Sequence, residues 1–291
     1  MLTGCHGFTG RYVAAELKAA GYEVIGLAHD DDPPADGVLR ANLLDRDAVR
    51  RTVKEARADA VIHLAAIAFV AHDDVDAIYR TNIVGTRNLL AALAAVERKP
   101  RSVVLASSAN IYGNTEVEPI DEDTPAAPAN DYAVSKLAME RMARLWQEQL
   151  PIVLVRPFNY TGVGQSESFL IPKIVAHFRR SAGVIELGNT DIARDFSDVR
   201  DIARAYTALA TRPLRGIAVN FCSGIGHSLG EVLAMMAGIA GYAIEVRVNP
   251  AFVRANEVKR LVGSNARLRA LTGFAPSIPL EETLRWMYEC P

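Results

Sequence analysis

Short apolar runs alternate with Ala- and Leu-rich stretches along the first half of this chain, and that alternation leaves few folds open. Strand-length runs lie at residues 23–27, 60–64, 102–106 and 152–155, and helix-patterned stretches separate them at about 46–56, 75–97 and from 131 to about 150. A strand brought back to its own direction by a helix is a βαβ unit, and a series of such units builds a parallel sheet with helices on both faces. The fold class expected is therefore α/β, a doubly wound parallel sheet. After residue 160 the pattern loosens into short strands (184–187, 217–221, 244–248) and helices (169–180, 229–240, 280–290), as in a smaller α/β cap built beyond the carboxyl ends of the strands.

The chain opens MLTGCHGFTG ahead of an Ala-rich helix that ends near Gly21, so Gly4, Gly7 and Gly10 stand between a strand and a helix. Glycines there permit a tight turn, close approach of backbone to a pyrophosphate and tight helix packing, with N–H groups aimed at the anion. Gly4, Gly7, Phe8, Thr9 and Gly10 are the expected phosphate-binding residues. A glycine triplet alone is a weak signal; its place within a βαβ-sized unit is what points to a dinucleotide. Only Met1, Leu2 and Thr3 precede the turn, where a central parallel strand runs ~5 residues, which leaves open a natural start upstream of Met1. The expected division is a dinucleotide-binding domain at residues 1–159, with 195–221 returning to it, and a cap at residues 160–194 and 222–291.

In such a fold a carboxylate closing the second strand selects NAD by binding the ribose hydroxyls. Ala28 and His29 occupy that point, and Asp30, Asp31 and Asp32 fall in the Asp-Asp-Asp-Pro-Pro turn just after it. The reading leans towards NADP, with NAD as the alternative, and places Asn42 and Leu43 against the adenine.

Residues 130–136 read Asn-Asp-Tyr-Ala-Val-Ser-Lys, which sets Tyr132 and Lys136 one above the other on a helix face. An ammonium within a few Å of a phenol favours the phenolate and brings proton exchange from pH ~10 towards neutrality. Alone, such a pair is more often an ordinary amphipathic face than a catalyst. Here it has company: Ser107-Ser108-Ala109-Asn110-Ile111-Tyr112-Gly113 follows one strand, and His63-Leu64-Ala65-Ala66 leaves another, with small residues where backbone can approach a ligand. Asn82, in the middle of a helical stretch, is awkward unless its amide finds a partner, and a place near the cofactor is the expected one. Cys5 and His6, by contrast, are read as variable loop positions.

A net charge of −2 without long basic or acidic runs gives no electrostatic case for nucleic acid or a membrane surface, so small molecules are the expected partners. Cys5, Cys222 and Cys290 lie far apart and fit free thiols in a reducing compartment, and the six histidines show no metal-ligand spacing. No signal peptide is read and no apolar run approaches ~18 residues. The expectation is a soluble cytoplasmic protein without a metal.

The glycine turn, His63-Leu64-Ala65-Ala66, the Ser108 segment and Tyr132-x-x-x-Lys136, in this order, resemble the extended short-chain dehydrogenase/reductase family, also called the NAD-dependent epimerase/dehydratase family, across essentially the whole chain. The resemblance implies NAD(P), nucleotide-activated sugars, Tyr132 as acid/base, Lys136 as the cation that lowers its pKa and holds the nicotinamide ribose, and Ser108 on the reacting oxygen. Leu64, Ala65, Ala66, Asn82 and Pro157 join the expected cofactor contacts. The family's dehydratases carry an Asp-Glu pair directly after the active hydroxyl residue; Ala109 and Asn110 stand there, and neither shuttles a proton as a carboxylate does.

Redox or epimerisation at a sugar C4 remains. Residues 156–165, 194–201, 220–224 and 254–284 are similar to motifs of GDP-4-keto-6-deoxymannose reductases, apart from Tyr160 where that pattern has His and Val163 where it has Pro. The expected activity is reduction of the C4 ketone of a nucleotide-activated 4-keto-6-deoxyhexose. A 4-epimerase is the alternative, and a non-catalytic dinucleotide sensor a third reading. Ser108, Asn110, Asn159, Arg194, Arg254 and Glu257 are the expected substrate contacts, the arginines because a guanidinium fork suits a diphosphate. The resemblance also implies a homodimer formed as a four-helix bundle by residues 75–97 and 131–149, with Met139, Met142, Leu145 and Trp146 exposed on it.

Overall fold

The computed structural model describes residues 1–32, 34–68, 74–253 and 258–290. In chain order the first half contains β1 (Leu2–Thr3), α1 (Phe8–Ala19), β2 (Gly26–Ala28), β3 (Val38–Arg40), α2 (Arg46–Ala56), β4 (Ala60–His63), α3 (Val75–Tyr79), α4 (Thr86–Ala95), β5 (Ser102–Ala106), α5 (Asp131–Arg144) and β6 (Ile152–Pro157). The second half contains β7 (Asn159–Thr161), α6 (Leu170–Arg179), β8 (Val184–Leu187), β9 (Ala193–Asp198), α7 (Val199–Ala210), β10 (Ile217–Phe221), β11 (Gly226–Ser228), α8 (Leu229–Ala240), β12 (Glu245–Val248), β13 (Arg260–Leu261), α9 (Ala266–Thr272) and α10 (Leu280–Glu289).

Among the described residues, seven strands form one parallel sheet in the order β10-β6-β5-β4-β1-β2-β3, so the doubly wound α/β expectation holds. Its two faces carry separate apolar cores. One packs Val104, Val153, Val155 and Val219 against α1 and α7; the other packs Val103, Leu105, Ile152 and Leu154 against α2, α4 and α5. Alternate residues of each central strand thus serve opposite faces, and each fully buried Val, Leu or Ile contributes roughly 1.5–3 kcal/mol. Of the stretch expected to return to this domain, α7 and β10 join these layers, whereas β9 pairs with β7, β11 and β13 in a second sheet. A third core gathers α6, α8 and α10.

Local chemistry sets the helix starts. Asp45 caps α2 by accepting from Asp47 N and Ala48 N at 2.9 and 3.0 Å, and Asn130 caps α5 by accepting from Ala133 N at 2.9 Å. The expected strand at 23–27 is shorter and later, because β1 offers only two residues to pair with β2. The expected helix at 75–97 is interrupted by a π-helical turn at Arg80–Gly85, a widening often found beside functional sites. Met139 is only 1% exposed, and Met142 and Trp146 pack against the core under α5; of the four residues expected on a dimer face, Leu145 alone is exposed, at 79%. No helix among the described residues is long and apolar enough to cross a membrane.

Candidate active site

Strand order reverses between β1 and β4, and ligands of open α/β sheets bind in the crevice at the carboxyl side of such a switch. The glycine turn leaves β1 at this point. Gly4 has φ +67°, and a Cβ on it would stand 2.9 Å from Ala65 N; a Cβ on Gly10 would stand 2.1 Å from Gly4 O. Both positions therefore need glycine. No side chain caps the N-terminus of α1 at Gly7, and its first turn carries no acid. The turn thus presents bare N–H groups of Phe8 and Thr9 to the crevice, which fits a dinucleotide pyrophosphate.

Opposite the turn, Tyr132 and Lys136 project from the buried face of α5. Burial pushes the Tyr132 phenol up to about 12, a hydrogen bond from Ser108 draws it back, and the neighbouring Tyr160 phenol raises it. Lys136 Nζ donates to Ala106 O at 2.8 Å and lies 5.9 Å from the centre of the Tyr132 ring. Burial lowers this ammonium to about 8 against a raising pull from Glu140. The phenol lowered by lysine that the spacing suggested is therefore not what the fold presents. Desolvation is the largest influence, and Tyr132 stays protonated at neutral pH.

Ser108 closes the group. Its Oγ accepts from Asn110 N and Asn110 Nδ2, both at 3.2 Å, which leaves its own proton for the phenol. Asn110 thus orients Ser108, while the Ser107 hydroxyl is buried without a hydrogen-bond partner among the described residues. Asn82 does find its partner: its amide spans Ile67 N and Ile67 O at 3.0 and 3.1 Å and Ser135 Oγ at 3.0 Å, tying the loop after β4 to α5.

His63 carries a function that its motif did not announce. It is buried between Thr3 Oγ1 at 2.7 Å and Thr86 Oγ1 at 2.9 Å, and burial with nearby Lys136 pushes it down to about 3. The Thr86 hydroxyl already donates to Asn82 O at 2.8 Å, so His63 Nε2 must donate and Nδ1 accept from Thr3. Thr3 Oγ1 in turn accepts from Ala65 N at 3.1 Å, and a neutral imidazole thereby braces the glycine turn against Leu64, Ala65 and Ala66.

The remaining expected contacts are spread around this centre. His29 is exposed in the turn after β2, with its N bonded to Asp32, while Asn42 N donates to Asp30 and buried Leu43 packs under Gly85. Pro157 pairs with Phe221 at the end of β6, and Asn159 is exposed just beyond it. Arg194, expected on a diphosphate, is buried and donates to the carbonyls of Ala193, Val258 and Lys259, which ties β9 to the segment before β13. Arg254 and Glu257 lie outside the described residues. Arg40, which the motifs did not mark, ends β3 and donates from Nη1 to Asp30 O and Asp32 O, both at 3.3 Å. Cys5 and Cys222 are buried thiols, and no metal-ligating cluster occurs among the described residues.

Known proteins are similar to this chain over almost its whole length. A GDP-6-deoxy-D-mannose reductase of Pseudomonas aeruginosa is 35% identical over 98% of this chain and 94% of its own. A structure of RMD from Pseudomonas aeruginosa complexed with NADPH superposes with a TM-score of 0.85 at 32% identity, covering 99% of this chain and 97% of that one. A Burkholderia cenocepacia J2315 protein, provisionally described as an epimerase, is 54% identical with a TM-score of 0.93, covering 99% and 96%. The NAD dependent epimerase/dehydratase family profile matches residues 1–221, and the chain belongs to that family.

Proposed function

We propose that this protein reduces the C4 ketone of a nucleotide-activated 4-keto-6-deoxyhexose with NADPH, residues 1–159 and 195–221 holding the dinucleotide and the remainder the sugar nucleotide. The observation that carries the reading is the Ser108 hydroxyl, oriented by Asn110, grouped with the buried Tyr132 phenol and Lys136 beside an uncapped glycine turn, with Ala109 and Asn110 where dehydration would need carboxylates. The similarity to a GDP-6-deoxy-D-mannose reductase supports the substrate class. A bound reduced nicotinamide supplies a hydride. Everything else is done by this chain. Ser108 and Tyr132 hydrogen-bond the carbonyl oxygen, Tyr132 transfers its phenolic proton as negative charge develops there, and Lys136 stabilises the phenolate left behind. One Lys136 N–H is taken by Ala106 O, which leaves two for ribose and phenolate. Asn159 and Arg194 border the sugar-nucleotide side, the second by fixing the chain at 258–259.

The test is incubation of the purified protein with NADPH and GDP-4-keto-6-deoxymannose. One NADPH oxidised per sugar reduced is the expected outcome. Interconversion of a nucleotide sugar bearing a C4 hydroxyl with its C4 epimer in the presence of NAD, with no net NADH formed and no NADPH oxidised by the 4-keto sugar, would instead establish the second reading, a 4-epimerase, which the 54% identical Burkholderia protein favours. We further propose a cytoplasmic homodimer through α3, the π-helical turn, α4 and α5, with Val84 of the turn and Val134 of α5 exposed at 42% and 39%; a single-chain mass by light scattering would remove it.

Arg40 supports the choice of NADP. No carboxylate closes β2, and a guanidinium at the adjacent strand end is suited to a ribose 2′-phosphate. Arg40→Glu is expected to move the NADPH/NADH ratio of kcat/KM at least about tenfold towards NADH, a change of ~1.4 kcal/mol in relative transition-state binding. An unchanged ratio would remove Arg40 from this role.

A further inference from the structure

The anion-binding turn of α1 does not fix its own position. Glycines at 4, 7 and 10 leave it few side chains to pack, and no side chain caps it. The His63–Thr3 contact braces the strand side of the turn, and the strap that follows β6 holds its helix side. Tyr160 Oη and Thr9 Oγ1 are 2.7 Å apart, and the Tyr160 ring stacks on Phe8 with centroids 6.2 Å apart and an interplanar angle of 10°. Tyr12 Oη donates to Val163 O at 2.7 Å, and Arg11 reaches Gly164 O at 3.4 Å. Four successive contacts therefore run from one strap to the first turns of one helix. The strap is covalently continuous with Asn159, on the sugar-nucleotide side.

We propose that Tyr160 is a positioning residue that couples the two ligands, holding the first turn of α1 through Thr9 so that occupancy of the cap side tightens dinucleotide binding. This rests on the function proposed above. It also gives a consequence to this chain's departure at Tyr160. A phenol has both the flat ring that meets Phe8 and the terminal hydroxyl that reaches Thr9. Phosphate-binding N–H groups lose strength steeply when misplaced by a few tenths of an Å, so a contact that fixes their turn acts on affinity without touching the ligand. Coupling of this kind is reciprocal: whatever GDP does for NADPH binding, NADPH does for GDP.

The experiment is an NADPH titration of the full chain, followed by protein fluorescence, with and without saturating GDP. Tyr160→Phe and Thr9→Val are each expected to weaken NADPH binding about three- to tenfold, the range for one hydrogen bond. The double variant is expected to be no weaker than either single, because one interaction is removed in all three. Thr9→Ser keeps the hydroxyl and restores near wild-type affinity. GDP is expected to tighten NADPH binding in the wild type and to lose this effect in Tyr160→Phe. Additive losses, unchanged single variants, or a GDP effect that survives in Tyr160→Phe would each overturn the proposal. Failure of the wild type to bind any dinucleotide would overturn the function proposed above instead, and circular dichroism of each variant separates misfolding from either result.

Discussion

Tyr132→Phe is expected to lower turnover of a 4-keto sugar nucleotide by ~10²–10⁴-fold, the usual contribution of a positioned acid, while dinucleotide binding persists. The phenyl ring fills the same buried space, and Ser108 keeps its contacts to Asn110 at 3.2 Å, so the site loses one proton and little else. The pH profile of the wild type should show the same division of labour. With Tyr132 at about 12 and Lys136 at about 8, phenol and ammonium are both protonated below pH 8. The reduction rate is expected to be level there and to fall above it as Lys136 loses its charge.

Stability moves the other way. Lys136 is lowered from 10.5 to about 8 in the fold, so between those values the unfolded chain binds more protons. Its contribution is full above pH 10.5 and is lost as pH falls through 8. A falling rate alongside an undiminished contribution to stability distinguishes titration of the site from alkaline unfolding. Single-turnover rates in stopped flow, with thermal melts at each pH, measure both. Full turnover by Tyr132→Phe on a confirmed substrate would end the acid/base assignment.

The elements that were legible in the sequence share one property: their geometry is local. A glycine turn between strand and helix, a serine leaving a strand, and a tyrosine and lysine four apart on a helix are each set by a few neighbouring dihedrals. The same helical period places Met139, seven residues after Tyr132, on the buried face. Its assignment to an exposed dimer surface therefore followed the family resemblance over the helix's own geometry.

What stayed hidden depends on contacts between distant residues. Thr9 meets Tyr160 across 151 positions, and Thr3 meets His63 across 60. No spacing rule connects them. The Tyr132 pKa belongs to the same class, because desolvation depends on every layer packed around the phenol and the motif records only the cation. The π-helical turn at Arg80–Gly85 was also invisible, although the awkward Asn82 within it marked the place.

The second large effect is expected at Glu140, one helical turn beyond Lys136. Its carboxylate receives Arg156 Nε at 2.9 Å and Nη2 at 2.8 Å, with the two residues only 1% and 6% exposed. Arg156 Nη1 continues to Tyr112 Oη at 2.9 Å and Glu122 O at 3.0 Å, and Tyr112 Oη donates to Asn220 Oδ1 at 2.7 Å. The catalytic helix is thereby joined to β6, β10 and the segment around Glu122 by one buried polar chain. Glu140→Gln leaves the guanidinium without its counter-charge, and breaking a buried pair from one side typically costs ~3–5 kcal/mol, a large part of an ordinary domain's stability of ~5–15 kcal/mol.

Removing both charges is a different matter. Glu140→Leu with Arg156→Met is expected to cost less than Glu140→Gln alone, since no buried charge is stranded. Urea unfolding of the single and double variants measures the difference. Glu140→Gln within 1 kcal/mol of wild type would show that the pair is not desolvated in the way its burial implies. Glu140 also raises Lys136, so its loss should carry the alkaline limb of the reduction rate below pH 8. A destabilised variant with an unmoved limb would leave Glu140 as a structural brace only. A limb displaced to lower pH would make the same ion pair that holds the helix in place part of what keeps its lysine charged.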